Sequence, residues 1–191
     1  MKEKEIRNIQ AQFEADESRT VQGKAICFES ASNDLGFIET IKRGAVTQEL
    51  IDNSDVFARM NHSDDYILAR SKNGKGSLIL ELRDDGVYYM FEAPNTEKGK
   101  ELIEHIKRGE ITTSSFAFMV SDEPDSERWY KDEDGVIHRD IYKIGYLGDI
   151  APVYCEAYSE TTCSLRGENM LKTAKEIDAK MNLLKEEVEA M

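Results

Sequence analysis

A mainly β chain with flanking helices is predicted, its strands forming a closed or nearly closed barrel and its last segment a separate amphipathic helix. Three observations carry this. Short runs with period-two alternation, about eight or more of them, recur before residue 160. Turn signals such as Asp85-Gly86 divide them, and only one or two stretches between them are helical in pattern. Beyond Glu168 the period changes to threes and fours. Many short strands interrupted by a helix or two suit a barrel with helices packed outside. Residues 1–167 are thus expected to form the barrel domain and 168–191 a helical tail.

The elements follow in order. Ile6 to Phe13 and Val21 to Phe28 read as strands joined by the polar turn ADESRT, a hairpin. After the turn-rich SASNDLG, the segment IETIKRGAV leads into a short helix near Thr47 to Ile51, with Thr47 as its N-cap. Val56 to Met60 is a short strand that delivers Asn61, His62 and Ser63 to its end. Ile67 to Arg70 is another. In SLILELRDDGVYYMFEAP two alternating strands flank Asp85-Gly86, with Leu78, Leu80 and Leu82 on one face and Val87, Tyr89 and Phe91 on one face of the return. Past Pro94, Asn95 or Thr96 caps a helix to about Arg108, its buried stripe Leu102, Ile103 and Ile106 and its stop Gly109. His105 lies beside the stripe as a partly buried, hydrogen-bonded or solvent-edge residue.

Ile111 to Met119, ITTSSFAFM, alternates Phe116, Phe118 and Val120 with small polar residues, a strand that carries hydroxyls. The charged stretch SDEPDSERWYKDEDGVIHRD is expected to be a mobile surface hairpin with His138 in solvent, Trp129 and Tyr130 starting one strand and Ile137 to Tyr146 forming another. LGDIAPVYCEAYSETTCSL supplies one or two more. In the tail, Leu171, Ala174, Ile177, Met181, Leu184 and Val188 form the apolar stripe of a helix that docks on its own domain or pairs with a partner, a second copy included.

Composition excludes some classes. The 191 residues carry 38 acidic against 25 basic side chains, a net charge of -13, and phosphate contacts need clustered Lys and Arg. Nucleic acid is therefore not an expected partner. No run approaches the roughly 18 apolar residues of a membrane span, and MKEKEIRN has no apolar signal core, so a cytoplasmic, membrane-free protein is expected. Cys27, Cys155 and Cys163 are an odd number without CxxC spacing, which reads as free thiols. Cys27 is expected as a small buried residue between Ile26 and Phe28. Cys155 is a rival nucleophile without a neighbouring His. No glycine-rich phosphate loop, HExxH or paired-Cys spacing occurs, so neither cofactor nor metal is expected, and His62 with Asp64 and Asp65 is a weak metal pattern.

Acyl transfer by a serine needs a base within hydrogen-bond reach of Oγ and a third group to hold that base in the right tautomer. The chain offers Ser115 at a strand start, His62 at a strand end and Asp149 at the mouth of GDIAPVY. Taken alone, the Ser115 stretch also reads as a strand entrance with its hydroxyls in water, and spacing leaves open whether the three meet.

The order of five segments resembles the prohead, or capsid-maturation, serine proteases of tailed phages, relatives in fold of the herpesvirus assemblins. VQGKAICFES is similar to the family's opening strand, and IETIKRGAV to its glutamate-to-glycine-alanine segment, with Val46 where an aromatic is usual. VFARMNHSDDYILAR resembles the Asn-His block and implies His62 as general base. GEITTSSFAFMV resembles the Gly-x-Ile-x-x-x-Ser-Phe-x-Phe block and implies Ser115, rather than Ser114, as nucleophile. DIAPVYCEAYSETT resembles the acidic strand ending in Ala-Tyr, with Asp149 where Glu is common and Glu156 in place of a proline. Asp149 would orient His62, with Asp64, Asp65 and Glu156 as substitutes.

The resemblance implies a barrel of the herpesvirus-protease type and an endopeptidase packaged in the procapsid within the host cytoplasm. Its substrates would be scaffold, the N-terminal segment of the major capsid protein, and itself. The acidic tail would dock on scaffold or capsid protein or be cut off. A second reading keeps the barrel without catalysis, as a capsid-assembly or scaffold-like binding protein that works through the tail.

Overall fold

The computed structural model describes residues 2–10, 14–15 and 19–154. The tail helix, Cys155, Glu156 and Cys163 lie outside the described residues. The chain runs β1 (Glu5–Gln10), β2 (Glu14–Ala15), β3 (Thr20–Cys27), β4 (Ile38–Ile41), α1 (Gln48–Asn53) and β5 (Asp55–Arg59), then a 3-10 turn (Met60–His62). It continues through β6 (Ile67–Lys72), β7 (Lys75–Gly76), β8 (Leu78–Arg83), β9 (Gly86–Glu92), α2 (Glu97–Lys107) and β10 (Ile111–Val120). The described part closes with β11 (Glu127–Lys131), β12 (Ile137–Ile141) and β13 (Ile144–Tyr154). Mainly β with few helices is therefore the observed class.

Local chemistry explains the helix boundaries. Thr47 Oγ1 accepts from the Leu50 amide, and Thr96 Oγ1 accepts from the Gly99 amide, each satisfying an orphan donor of a first turn. Of the two caps offered for α2, Thr96 is the one used. The helix stops where Gly109 takes φ 71, a left-handed value that costs glycine nothing. Leu102, Ile103 and Ile106 are buried as the period requires, each contributing about 1.5–3 kcal/mol if its whole side chain leaves water.

The strands form three sheets, in the orders β1-β10-β13-β5-β6-β7, β11-β12-β4 and β2-β3-β9-β8. Among the described residues no closed barrel is found, because the end strands of each order do not pair with one another. The chain leaves one sheet for another at Tyr142 and Lys143, where both amides donate to the Ser126 carbonyl. The expected single strand from Ile137 to Tyr146 is thus two strands in different sheets. The core lies between the sheets and includes Val21, Ile26, Val56, Phe91, Phe116 and Ile150, all at most 2% exposed.

Further expectations are corrected. β1 pairs antiparallel with β10, Asn8 opposite Ser115, while β3 takes the two residues of β2 instead, so the N-terminal hairpin does not form as read. Its side chains explain the choice: Glu5 meets Arg139 and Arg7 meets Glu39, partners that lie far along the chain. The β8–β9 hairpin has Asp84 and Asp85 as its turn, with Gly86 opposite Arg83 as the first residue of the return strand. The charged stretch expected as a mobile surface hairpin does pair as a hairpin, β11 with β12, but β12 also joins β4 in the three-stranded sheet, with Trp129 edge-on to Phe37 at 4.9 Å and Arg139 buried. His138 in it is half-buried, its Nε2 2.8 Å from Asp132 and its ring stacked on Tyr130. Cys27 is likewise half-buried, not buried.

Candidate active site

Three adjacent strands of the six-stranded sheet converge on one place: β10, β13 and β5, in that order. β10 presents Ser115 opposite Ala151 and Ala117 opposite Asp149, so Asp149 lies two positions diagonally from Ser115 on the same face. A register shift follows, with Phe118 opposite Leu147, which leaves Gly148 unpaired as a bulge beside Asp149. β13 runs parallel to β5, Asp149 beside Phe57, and β5 ends in the turn that carries His62.

That turn is strained. Asn61 (φ 52, ψ 33) and His62 (φ 57) both sit in the left-handed region, which costs an L-residue about 1–2 kcal/mol. Asn tolerates it best among non-glycine residues, and Asn61 Oδ1 also accepts from the Tyr154 amide at 3.2 Å, tying the turn to β13. The result swings the imidazole back over the sheet. Paired outliers of this kind cluster where a side chain must be aimed.

His62 Nδ1 lies 2.5 Å from Asp149 Oδ1 and its Nε2 2.5 Å from Ser115 Oγ. With Nδ1–H donating to Asp149, Nε2 is free to accept the hydroxyl proton. Ser115 and Asp149 are fully buried and the His62 side chain is 17% exposed. The second carboxylate oxygen, Asp149 Oδ2, faces Lys4 Nζ and Arg59 Nη1, each at 3.3 Å. Burial pushes the Asp149 carboxyl up, but His62 and Lys4 outweigh it and hold it below the ordinary carboxylate range. An ionised Asp149 can steady an imidazolium as it forms. Ser115 Oγ has a second acceptor in reach, the Arg7 carbonyl at 3.0 Å on β1.

The other candidates lie elsewhere. Ser114 points through the opposite face of β10, where its Oγ is 2.6 Å from the buried Tyr89 hydroxyl. Asp64 is 87% exposed on Arg59, and the Asp65 carbonyl accepts from Lys98 Nζ. His105 bonds Glu110 at 2.6 Å. Among the described residues no group of three or more His, Cys, Asp or Glu side chains is arranged to hold a metal ion. Sequence reasoning did not single out Arg59, Lys4 or the structural role of Asn61. Only Asn61 carried a signal, an Asn immediately before the His at the end of a strand.

No curated protein matches the sequence. The capsid assembly protease gp21 of bacteriophage T4 is similar in structure, with a TM-score of 0.50 and 12% identity over 80% of this chain and 98% of that one, a likeness of fold. The sequence profile of the caudovirus prohead serine proteases matches residues 4–176, which spans all three strands and both ends of the site. The chain belongs to the caudovirus prohead serine protease family.

Proposed function

We propose that the protein is a serine endopeptidase of prohead maturation in which Ser115 is the nucleophile, His62 the general base and Asp149 the group that orients His62. The observation that carries this is the hydrogen-bonded line Ser115–His62–Asp149, both links 2.5 Å, within a chain of this family. In the reaction His62 Nε2 takes the Ser115 hydroxyl proton as Oγ attacks the peptide carbonyl carbon. The tetrahedral intermediate collapses to an acyl-enzyme, and the imidazolium gives its proton to the departing amine. Water, deprotonated by the same nitrogen, then releases the new carboxylate and frees Ser115. Asp149 keeps Nδ1–H toward itself and stabilises the charged ring.

The substrates fit a procapsid interior: scaffold, the N-terminal segment of the major capsid protein, and the protease itself, with the host cytoplasm as the place of assembly. The acidic tail, residues 168–191, is the segment proposed to dock on scaffold or capsid protein or to be removed. Deleting it should lower incorporation into particles and spare peptide cleavage.

Co-expression with the major capsid protein tests the reading. Ser115→Ala and His62→Ala should each abolish its cleavage, with circular dichroism unchanged, and Ser114→Ala should not. Undiminished cleavage by Ser115→Ala would end it.

A further inference from the structure

β1 occupies an unusual position for an edge strand. It pairs with β10 from Glu5 opposite Phe118 to Gln10 opposite Thr113, so its middle lies directly alongside the Ser115 position. The Arg7 carbonyl accepts from Ser115 Oγ at 3.0 Å, and the hydroxyl has one proton to share between that carbonyl and His62. Ser115 is fully buried. A peptide carbonyl carbon has to come within about 3–3.5 Å of Oγ to react. A substrate must therefore enter where β1 now lies or not at all from this side.

The way β1 is held differs from the way β13, on the other flank of β10, is held. Leu147 to Val153 of β13 are buried without interruption. In β1 the apolar Ile6 and Ile9 are only half-buried, and the charged side chains make the long-range attachments. Glu5 takes a bidentate bond from Arg139 at 2.5 and 2.8 Å. Arg7 grips Glu39 at 2.6 and 2.8 Å, and the preceding Lys2 reaches Glu127 at 2.6 Å. Lys4 reaches Asp149 itself. Attraction in the buried pairs of Glu5 and Arg7 is largely offset by the cost of stripping water from the ions, and the part-exposed Lys2 and Lys4 hold through pairs that solvent screens, so releasing them with rehydration is easier than exposing an apolar face. Departure of β1 would at one stroke uncover Ser115, free its hydroxyl from Arg7 and take Lys4 off Asp149.

We propose that β1 is a displaceable cover over Ser115, and that an extended polypeptide substrate takes its place along the same edge of β10. Once vacated, that edge offers a row of unpaired N–H and C=O groups, the surface on which extended peptides add as a strand. The proposal rests on Ser115 being the nucleophile, and it gives the enzyme a closed resting form that opens when a strand-forming substrate is at hand.

The test uses the full chain with Cys27, Cys155 and Cys163 replaced by Ser, and a fluorophosphonate as the probe of Ser115. Ile6→Cys with Ala117→Cys, an opposed pair, locks β1 to β10 when oxidised. The locked chain should label more slowly than the same chain after reduction, on the order of tenfold for a cover that opens as a minor state. Arg7→Ala, which keeps the carbonyl and loses the grip on Glu39, should label faster than its parent. Equal labelling of locked and reduced chains would overturn the cover. If no chain labels above Ser115→Ala, exposure is read without catalysis through Ser115→Cys and iodoacetamide, and the catalytic reading is judged separately by cleavage of the capsid protein. Faster alkylation when Arg7→Ala is added supports the cover, and equal alkylation refutes it.

Discussion

Asn61 makes the sharpest test of how the site is built, because it stands outside the Ser115–His62–Asp149 line and holds only the turn that carries His62. Its two contributions are separable. The first is backbone: Ala held at φ 52, ψ 33 costs about 1 kcal/mol more than a residue that tolerates the left-handed region. The second is the bond from the Tyr154 amide to Asn61 Oδ1 at 3.2 Å, with a net value of about 1 kcal/mol. Asn61→Ala loses both, about 2 kcal/mol, enough to lower the aligned population of His62, and with it kcat, by up to about 30-fold. Asn61→Gly keeps the backbone freedom and loses only the bond, so its kcat should fall by about fivefold. The assay is peptide cleavage on proteins shown by circular dichroism to be folded, with single-turnover rates to isolate chemistry. A wild-type rate for Asn61→Ala, or Gly worse than Ala, would refute the claim that this strained turn aims the imidazole.

Three other outcomes follow from the structure. Ser114→Ala leaves the fully buried Tyr89 hydroxyl without its 2.6 Å partner and should cost about 1–3 kcal/mol in denaturant titration while fluorophosphonate labelling of Ser115 persists. Arg139, whose own proton is held more tightly than usual because Glu5, Glu39 and Glu127 outweigh its burial, gives Glu5 a bidentate bond, where Arg7 gives it a single one at 2.7 Å. Arg139→Met should therefore destabilise the fold by about 3–5 kcal/mol, and a change under 1 kcal/mol would count against the network. Asp149 has a carboxyl whose folded-state pKa is depressed, so its stabilising charge is fully present above the unfolded value of about 4 and fades as pH falls through the folded value. The stability gap between wild type and Asp149→Asn should accordingly narrow as pH drops below about 4, and a gap independent of pH would contradict it.

Much of the fold was legible from local pattern. The β8–β9 hairpin, α2 with its Leu102–Ile103–Ile106 stripe, and the Thr47 cap of α1 obey rules that act within a few residues, so sequence is enough to see them. The placement of β1 was not legible, since its Glu5 and Arg7 are satisfied by Arg139 and Glu39, which lie 134 and 32 residues away. Barrel closure, not found among the described residues, was illegible for a related reason. Counting strands says nothing about which edges pair, and the break at Tyr142 and Lys143 that sends β12 into another sheet is a matter of tertiary hydrogen bonds to Ser126.

The site divides along the same line. The order of the family-like segments singled out Ser115, His62 and Asp149, because a block of several residues in a fixed order can be matched in one dimension where a lone serine, histidine or aspartate cannot. Whether they meet was decided by the neighbour order β10-β13-β5, the Gly148 bulge and the left-handed turn at Asn61. Those features add up distances between strands far apart in the chain, and a hydrogen bond of 2.5 Å is sensitive to every one of them.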